Sequence, residues 1–249
     1  MLKVNDLNKH FGGVQALLDI DFSLQENEIL GVIGPNGAGK TTLFNALSGT
    51  LTVNSGKIFF RDKEITHLPP QKRSRMGIMR TFQNLSLYDD LTLQENVILG
   101  ANAWYRPGLK DIFDLKSPKY TRILPTAMDN LRLVGLERQR HNYPDNLSYG
   151  NQRKLEIARA LTGKPKLLLL DEPAAGLNNQ ESEELAELLL HIKDHSKLTI
   201  LIIEHDMDVL MNISDRVLVL VEGGLLTVDT PSNIQKDNRV INAYLGSEI

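Results

Sequence analysis

Apolar residues fall in short blocks separated by glycine- and proline-rich breaks. Residues 3–7 and 18–24 carry apolar positions in loose alternation, and Ile29–Ile33 is a continuous run with the length of a buried strand. Gly34–Gly39 ends that run with three glycines and a proline. Leu43, Phe44, Ala46 and Leu47 then share one face of a helix that Gly49 closes. Beyond the turn at Ser55-Gly56, the segments Lys57–Phe60 and Met76–Phe82 read as strands. From 88 to 163 the pattern becomes helical, with an irregular stretch between Trp104 and Pro125 that holds Pro107, Gly108 and Pro118. Leu167–Leu170 restores the strand pattern. Leu185, Leu188, Leu189 and Ile192 make a helical face at i, i+3, i+4 and i+7. Leu198–Ile203 is the next strand, a helix from Met207 follows, and Val217–Val221 with Leu225–Thr230 read as a hairpin around Glu222-Gly223-Gly224. Strands alternating with helices predict an α/β sheet, which places ligands at the carboxyl ends of its strands.

The chain has 249 residues, 41% hydrophobic and 24% charged, ample for a sizeable core. Its net charge of -3 and pI near 6.1 lack the basic footprint of a nucleic-acid binder. The run Lys72, Arg73 and Arg75 reads as a solvated face. The absence of cysteine excludes disulfides and thiolate zinc sites and fits a reducing cytoplasm. The amino terminus does not read as a signal peptide. No apolar run approaches the roughly 18 residues of a spanning helix, so any membrane role is expected to come through a partner.

Gly34-Pro35-Asn36-Gly37-Ala38-Gly39-Lys40-Thr41 matches G-x-x-x-x-G-K-[ST] between a strand and a helix. A phosphate chain needs several donors converging on one point. Glycines let backbone N–H groups turn inward, and the helix that follows offers free N–H groups and a positive dipole end. In this pattern Lys40 reaches the β- and γ-phosphates and the Thr41 hydroxyl binds Mg²⁺. Asp171-Glu172 closes the strand Leu167–Leu170 at the same sheet edge. Asp171 there suits the Mg²⁺ shell, and Glu172 suits the base that deprotonates an attacking water. Nothing reads as a guanine-binding Asn-Lys-x-Asp, which favours ATP over GTP.

Leu147-Ser148-Tyr149-Gly150-Asn151-Gln152, about twenty residues before Asp171, resembles the Leu-Ser-Gly-Gly-Gln signature of ABC ATPases. With the phosphate loop before it and the acidic pair after it, nearly the whole chain is similar to that family. The resemblance implies an α/β phosphate-loop ABC ATPase fold: a RecA-like mixed-sheet core with an antiparallel β subdomain (1–87 and 164–249), and an α-helical signature subdomain (88–163) with an insertion near 101–126. Ser148 is placed to cap the following helix, which alone would be a plain helix cap. In the family this motif closes over ATP held by the other subunit, so Ser148, Tyr149, Gly150 and Asn151 are expected to contact that nucleotide in a head-to-tail dimer. Phe11 matches the aromatic that stacks on adenine; otherwise it is a strand-end aromatic. Thr42 matches the loop's last nucleotide contact. Gln83 matches a glutamine that touches Mg²⁺, and His205 the histidine that contacts the γ-phosphate; otherwise these are a loop amide and a surface histidine.

Two departures stand out: Tyr149 and Asn151 replace the usual glycine and glutamine of the signature, and Asn178 replaces a frequent aspartate after the catalytic acid. A neutral amide hydrogen-bonds but carries no charge. Within the family, Arg80-Thr81-Phe82-Gln83, Glu204-His205-Asp206-Met207 and Ala243-Tyr244-Leu245-Gly246 look like the ATPases of branched-chain amino acid importers, with urea importers and exporters as alternatives. The resemblance implies ATP and Mg²⁺ as cofactors. It implies two membrane permease subunits, a second related ATPase and an extracytoplasmic solute-binding protein as partners, no nucleic acid, and a cytoplasmic place on the inner face of the cell membrane. Trp104, Tyr105, Leu109, Ile112, Phe113 and Leu115 form either an exposed docking patch or an internally packed cluster.

Overall fold

The computed structural model describes residues 1–81, 86–103 and 118–245. Gln83 and the aromatic cluster Trp104–Leu115 lie outside them, as does Gly246.

Among the described residues the strands are β1 (Leu2–Phe11), β2 (Val14–Leu24), β3 (Ile29–Ile33), β4 (Ser55–Phe60), β5 (Lys63–Glu64), β6 (Ile78–Arg80), β7 (Leu167–Asp171), β8 (Thr199–Ile203), β9 (Arg216–Val221) and β10 (Gly224–Asp229). Their order is β5-β4-β1-β2-β10-β9-β3-β8-β7-β6. The run β9-β3-β8-β7-β6 is parallel. The other end, β2-β1-β4-β5, is antiparallel.

Strands β3, β7 and β8 are buried at every position, as parallel strands covered on both faces must be. Alternation decides which face each residue serves. Leu167, Leu169, Leu201 and Ile203 point into the core shared with helix α1 (Lys40–Ser48) and the antiparallel strands. Leu168, Leu170, Ile200 and Ile202 point into the core under α6 (Asn179–Ser196) and α7 (Met207–Ile213). A slip of one residue would exchange the two sets. The buried members of a further apolar cluster come from residues 93–158: Leu93, Val97 and Ile98 of α3 (Leu93–Leu99), Ile123, Ala127 and Leu131 of α4 (Pro118–Leu133), and Leu155 and Ala158 of α5 (Tyr149–Thr162), with Leu87 and Leu188 packed against it from outside that range. The β9–β10 hairpin turns through Glu222 and Gly223, both at positive φ, the signature of a twist-matched tight turn. Two short helices, α8 (Pro231–Ile234) and α9 (Asn238–Leu245), follow the hairpin.

Three expectations are corrected. The segment from Met76 is not one strand: α2 (Pro70–Met76) starts at a proline suited to a first helical turn, Gly77, at φ 103, ends it, and the strand that follows is Ile78–Arg80. Arg73 of that helix is not solvated but 1% exposed. Its guanidinium donates to the carbonyls of Ala46, Leu47, Thr66 and Leu68 at 2.6 to 2.8 Å, covering the carboxyl end of α1. Finally, the stretch before Pro125 is partly regular: α4 runs through that proline, with Ile123, Ala127 and Leu131 buried at a four-residue spacing.

Candidate nucleotide site

Three neighbouring parallel strands deliver the chemistry-bearing residues. Strand β8 lies between β3 and β7, with Val32 and Asp171 both in register with Ile203. The loop from Gly34, the pair Asp171-Glu172 and the pair Glu204-His205 therefore leave one sheet edge side by side, at carboxyl ends, as open α/β sheets place their ligand sites. The Glu172 N–H extends the ladder to Ile203 O at 2.9 Å. Glu172 holds φ 50, a left-handed backbone that costs a non-glycine residue about 1–3 kcal/mol. Its Oε1 lies 2.9 Å from His205 Nε2, the carboxylate largely covered and the ring exposed.

The loop between β3 and α1 needs its glycines for space as well as conformation. A Cβ on Gly34 would strike the Leu220 carbonyl, and one on Gly39, at φ 101, the carbonyl of Ala16. Lys40 folds back to donate to Gly34 O at 2.6 Å and Pro35 O at 3.1 Å. Burial pulls its ammonium below the ordinary lysine range, and the nearby Glu172 carboxylate opposes that shift. Asn36, Gly37, Ala38, Gly39, Lys40, Thr41 and Thr42 line one cleft together with Glu172, His205 and the residues Val14–Ala16. Phe11 stands beside it at the end of β1, paired with Val14, half-exposed and carrying the Lys9 ammonium over its ring.

Asp171 does not line the cleft. It lies behind it, 4% exposed, with Oδ2 accepting from Arg80 Nη2 at 2.7 Å. Arg80 also donates to Asn45 Oδ1 at 2.7 Å, so one buried guanidinium ties β6, β7 and α1 together. Among the described residues, no three His, Cys, Asp or Glu side chains gather as a metal site.

Ser148, Gly150 and Asn151 line a different hollow, shared with Asn178 and Glu181 at the start of α6. Ser148 caps α5, its Oγ accepting from Asn151 N at 3.3 Å. Tyr149 is exposed, bonds Arg153 through its hydroxyl, and lies against the loop at Gly176. Asn178 spends its carbonyl within the chain: Oδ1 accepts from Glu181 N at 3.0 Å, and Glu181 bonds back to Asn178 N. The replacement of aspartate thus retains the helix cap.

Sequence reasoning passed over two residues. Arg80 carried no local signal, since its partner lies across the sheet. Glu204, buried directly after an apolar strand, carried the same signal that singled out Asp171.

A phosphate loop, an acid–histidine pair at the neighbouring strand ends and a separate serine-capped helix define an ATP-binding cassette. Residues 17–175 match the family described as ABC transporter, and the chain belongs to that family as an ATPase. It is 43% identical over 250 residues to the high-affinity branched-chain amino acid transport ATP-binding protein LivG of Escherichia coli (strain K12), covering 99% of this chain and 98% of that protein. Its fold is similar to the ADP conformation of MJ1267, an ATP-binding cassette of an ABC transporter, with a TM-score of 0.87 and 30% identity over 99% of this chain and 98% of that one. The dimeric structure of MJ0796, a bacterial ABC transporter cassette, matches with a TM-score of 0.77 and 26% identity over 93% and 99% of the two chains. Among the described residues, no helix is long and apolar enough to cross a membrane.

Proposed function

We propose that this chain is the ATP-hydrolysing subunit of a branched-chain amino acid importer, seated on the inner face of the cell membrane. The observation that carries the site assignment is the single cleft joining the phosphate loop to Glu172 and His205. The near full-length relationship to LivG supports the solute class. Its partners are two membrane permeases, a second related ATPase and an extracytoplasmic solute-binding protein. Residues 1–87 with 164–249 form the nucleotide-binding core. Residues 88–163 form the helical unit, a reading supported by the apolar cluster whose buried members come from residues 93–158.

Phe11 stacks on adenine. The backbone N–H groups of Gly34 and of Asn36 to Thr42 receive the phosphates, and Lys40 exchanges its loop carbonyls for phosphate oxygens. The Thr41 hydroxyl, which lines the cleft, is a hard oxygen that would suit Mg²⁺, an ion commonly completed by substrate phosphate and water; the Asp171 carboxylate, set behind the cleft against Arg80, would serve that ion's shell, and Gln83 is the remaining expected ligand. Mg²⁺ supplies neutralisation of phosphate charge. Glu172 takes the proton of the water attacking the γ-phosphorus as the bond to the ADP oxygen breaks, while His205 holds a γ-oxygen and orients the Glu172 carboxylate. Ser148, Tyr149, Gly150 and Asn151 serve the nucleotide of the opposite subunit. The hollow that holds three of them shares no lining residue with the phosphate cleft of its own chain, and the dimeric relative supports this arrangement.

Base stacking on an aromatic is worth about 1–3 kcal/mol. Phe11→Ala is therefore expected to weaken ATP binding about tenfold, with kcat at saturating ATP little changed. A nucleotide titration alongside steady-state ATPase measurements checks both. The solute is tested by uptake of labelled leucine and labelled urea in cells carrying wild-type protein or Glu172→Gln. The expected result is loss of leucine uptake alone. Loss of urea uptake alone moves the assignment to urea import, and no change in either removes both solutes.

A further inference from the structure

Glu204 is 4% exposed and follows β8 directly, yet it makes no contact expected of a phosphate ligand. Its Oε1 accepts the Ala174 N–H at 2.6 Å and its Oε2 the His205 N–H at 3.1 Å. The Asp206 N–H also favours the charged carboxylate. Burial pushes this carboxyl above the usual range, the three N–H groups pull it back, and the Glu172 carboxylate adds to the upward push. A buried carboxylate is costly unless its oxygens are satisfied, so backbone amides are what hold it here.

Those amides belong to the two segments that carry the reacting pair. Ala174 lies in the turn after Glu172, closed by Ala175 N–H donating to Glu172 O at 3.1 Å. His205 N–H belongs to the other member of the pair. With the Glu172 N–H on Ile203 O at 2.9 Å, the two segments are stapled at both levels. The Glu172–His205 contact at 2.9 Å stands on top of that staple, with the ring itself exposed and otherwise free to turn away.

We propose that Glu204 is a positioning residue: its carboxylate clasps the turn after Glu172 to the segment bearing His205 and thereby sets their mutual geometry. This rests on the reading of Glu172 and His205 as the hydrolytic pair. A glutamine in its place keeps one acceptor but turns an NH₂ toward a backbone N–H. Two donors then face each other and one segment is released. Glu204→Asp keeps the charge and both acceptors on a stem one methylene shorter.

The test is single-turnover and steady-state ATPase of the purified full chain, with Glu204→Gln and Glu204→Asp each made in the wild-type and His205→Ala backgrounds. In the wild-type background Glu204→Gln is expected to lower kcat about tenfold with KM for ATP within about twofold, and Glu204→Asp to recover part of the loss. In the His205→Ala background Glu204→Gln is expected to change kcat less than about twofold, because the contact it supports is already gone. Wild-type kcat in Glu204→Gln overturns the proposal. Equal losses in both backgrounds overturn it too, since they mark a merely structural role. If the glutamine variant does not fold, as read by circular dichroism and thermal melting, Glu204→Asp carries the same cycle, and equal losses in the two backgrounds overturn the proposal. Glu172→Gln serves as the control: hydrolysis as fast as wild type in that variant would remove the site assignment itself.

Discussion

Glu172→Gln is expected to bind ATP at least as tightly as the wild type and to hydrolyse it about 10²–10⁴ times more slowly, the usual cost of removing a general base. The substitution is nearly isosteric, and its amide can still meet His205 across the 2.9 Å contact, so the cleft should keep its shape. What disappears is the proton acceptor. A negative charge close to the phosphate site disappears with it. Glu172 and Lys40 line the same cleft, so the wild-type carboxylate is expected to repel a bound triphosphate. Binding and turnover should therefore move in opposite directions, a separation that general unfolding does not produce. With ATP retained, two chains closed over two nucleotides should persist. Size-exclusion chromatography with and without MgATP then reads a stable dimer of the variant where the wild type returns to its starting state. Near-normal turnover would show that another group takes the proton.

The loop that lines the candidate site was legible in the sequence because phosphate binding is a local problem. Loop glycines, the lysine and the hydroxyl lie within Gly34–Thr42, and their spacing follows from the turn they must make. The acids and His205 were legible for a related reason, since an apolar strand ending in a polar side chain delivers that side chain to a known edge. Residues whose roles depend on distant partners were not legible. Arg80 gains its meaning from β6 lying beside β7, which brings it to a residue ninety-one positions away. Ala174, the partner of Glu204, lies thirty positions back. The Met76–Phe82 segment misled because apolar content alone does not reveal that Gly77 takes φ 103 and ends a helix there. The alternation that sorts β7 and β8 between two cores was not legible either, because in a strand buried on both faces nearly every position is apolar.

Arg73→Met is expected to destabilise the protein by about 3 kcal/mol, a large share of a typical folding free energy of about 5–15 kcal/mol. Helix α1 has only nine residues. Its amino end carries Lys40 and Thr41, and the carbonyls at its carboxyl end have no intrahelical partners. The guanidinium fan meets Ala46 O and Leu47 O there at 2.6 and 2.7 Å while its other nitrogens bind Leu68 O and Thr66 O. Each hydrogen bond to a charged group is worth about 1.5–3 kcal/mol. The desolvation of the guanidinium offsets part of that sum. Burial lowers Arg73 to about 10, well above neutrality, so the group is charged at pH 7 in both folded and unfolded states and its contribution should be flat with pH from 6 to 8. Methionine fills much of the volume but donates to none of the four carbonyls, Ala46 O keeping the Gly49 N–H at 3.3 Å. Lysine restores the charge as a single compact ammonium that cannot reach the α1 carbonyls and those of Thr66 and Leu68 together, so Arg73→Lys should recover only a minor part. Urea unfolding at pH 7 checks the order wild type, Arg73→Lys, Arg73→Met in midpoint at a constant slope. An unchanged midpoint for Arg73→Met would mean that the end of α1 is held by its apolar packing, through Leu43, Phe44 and Leu47, and that the cluster of arginine bonds adds nothing net.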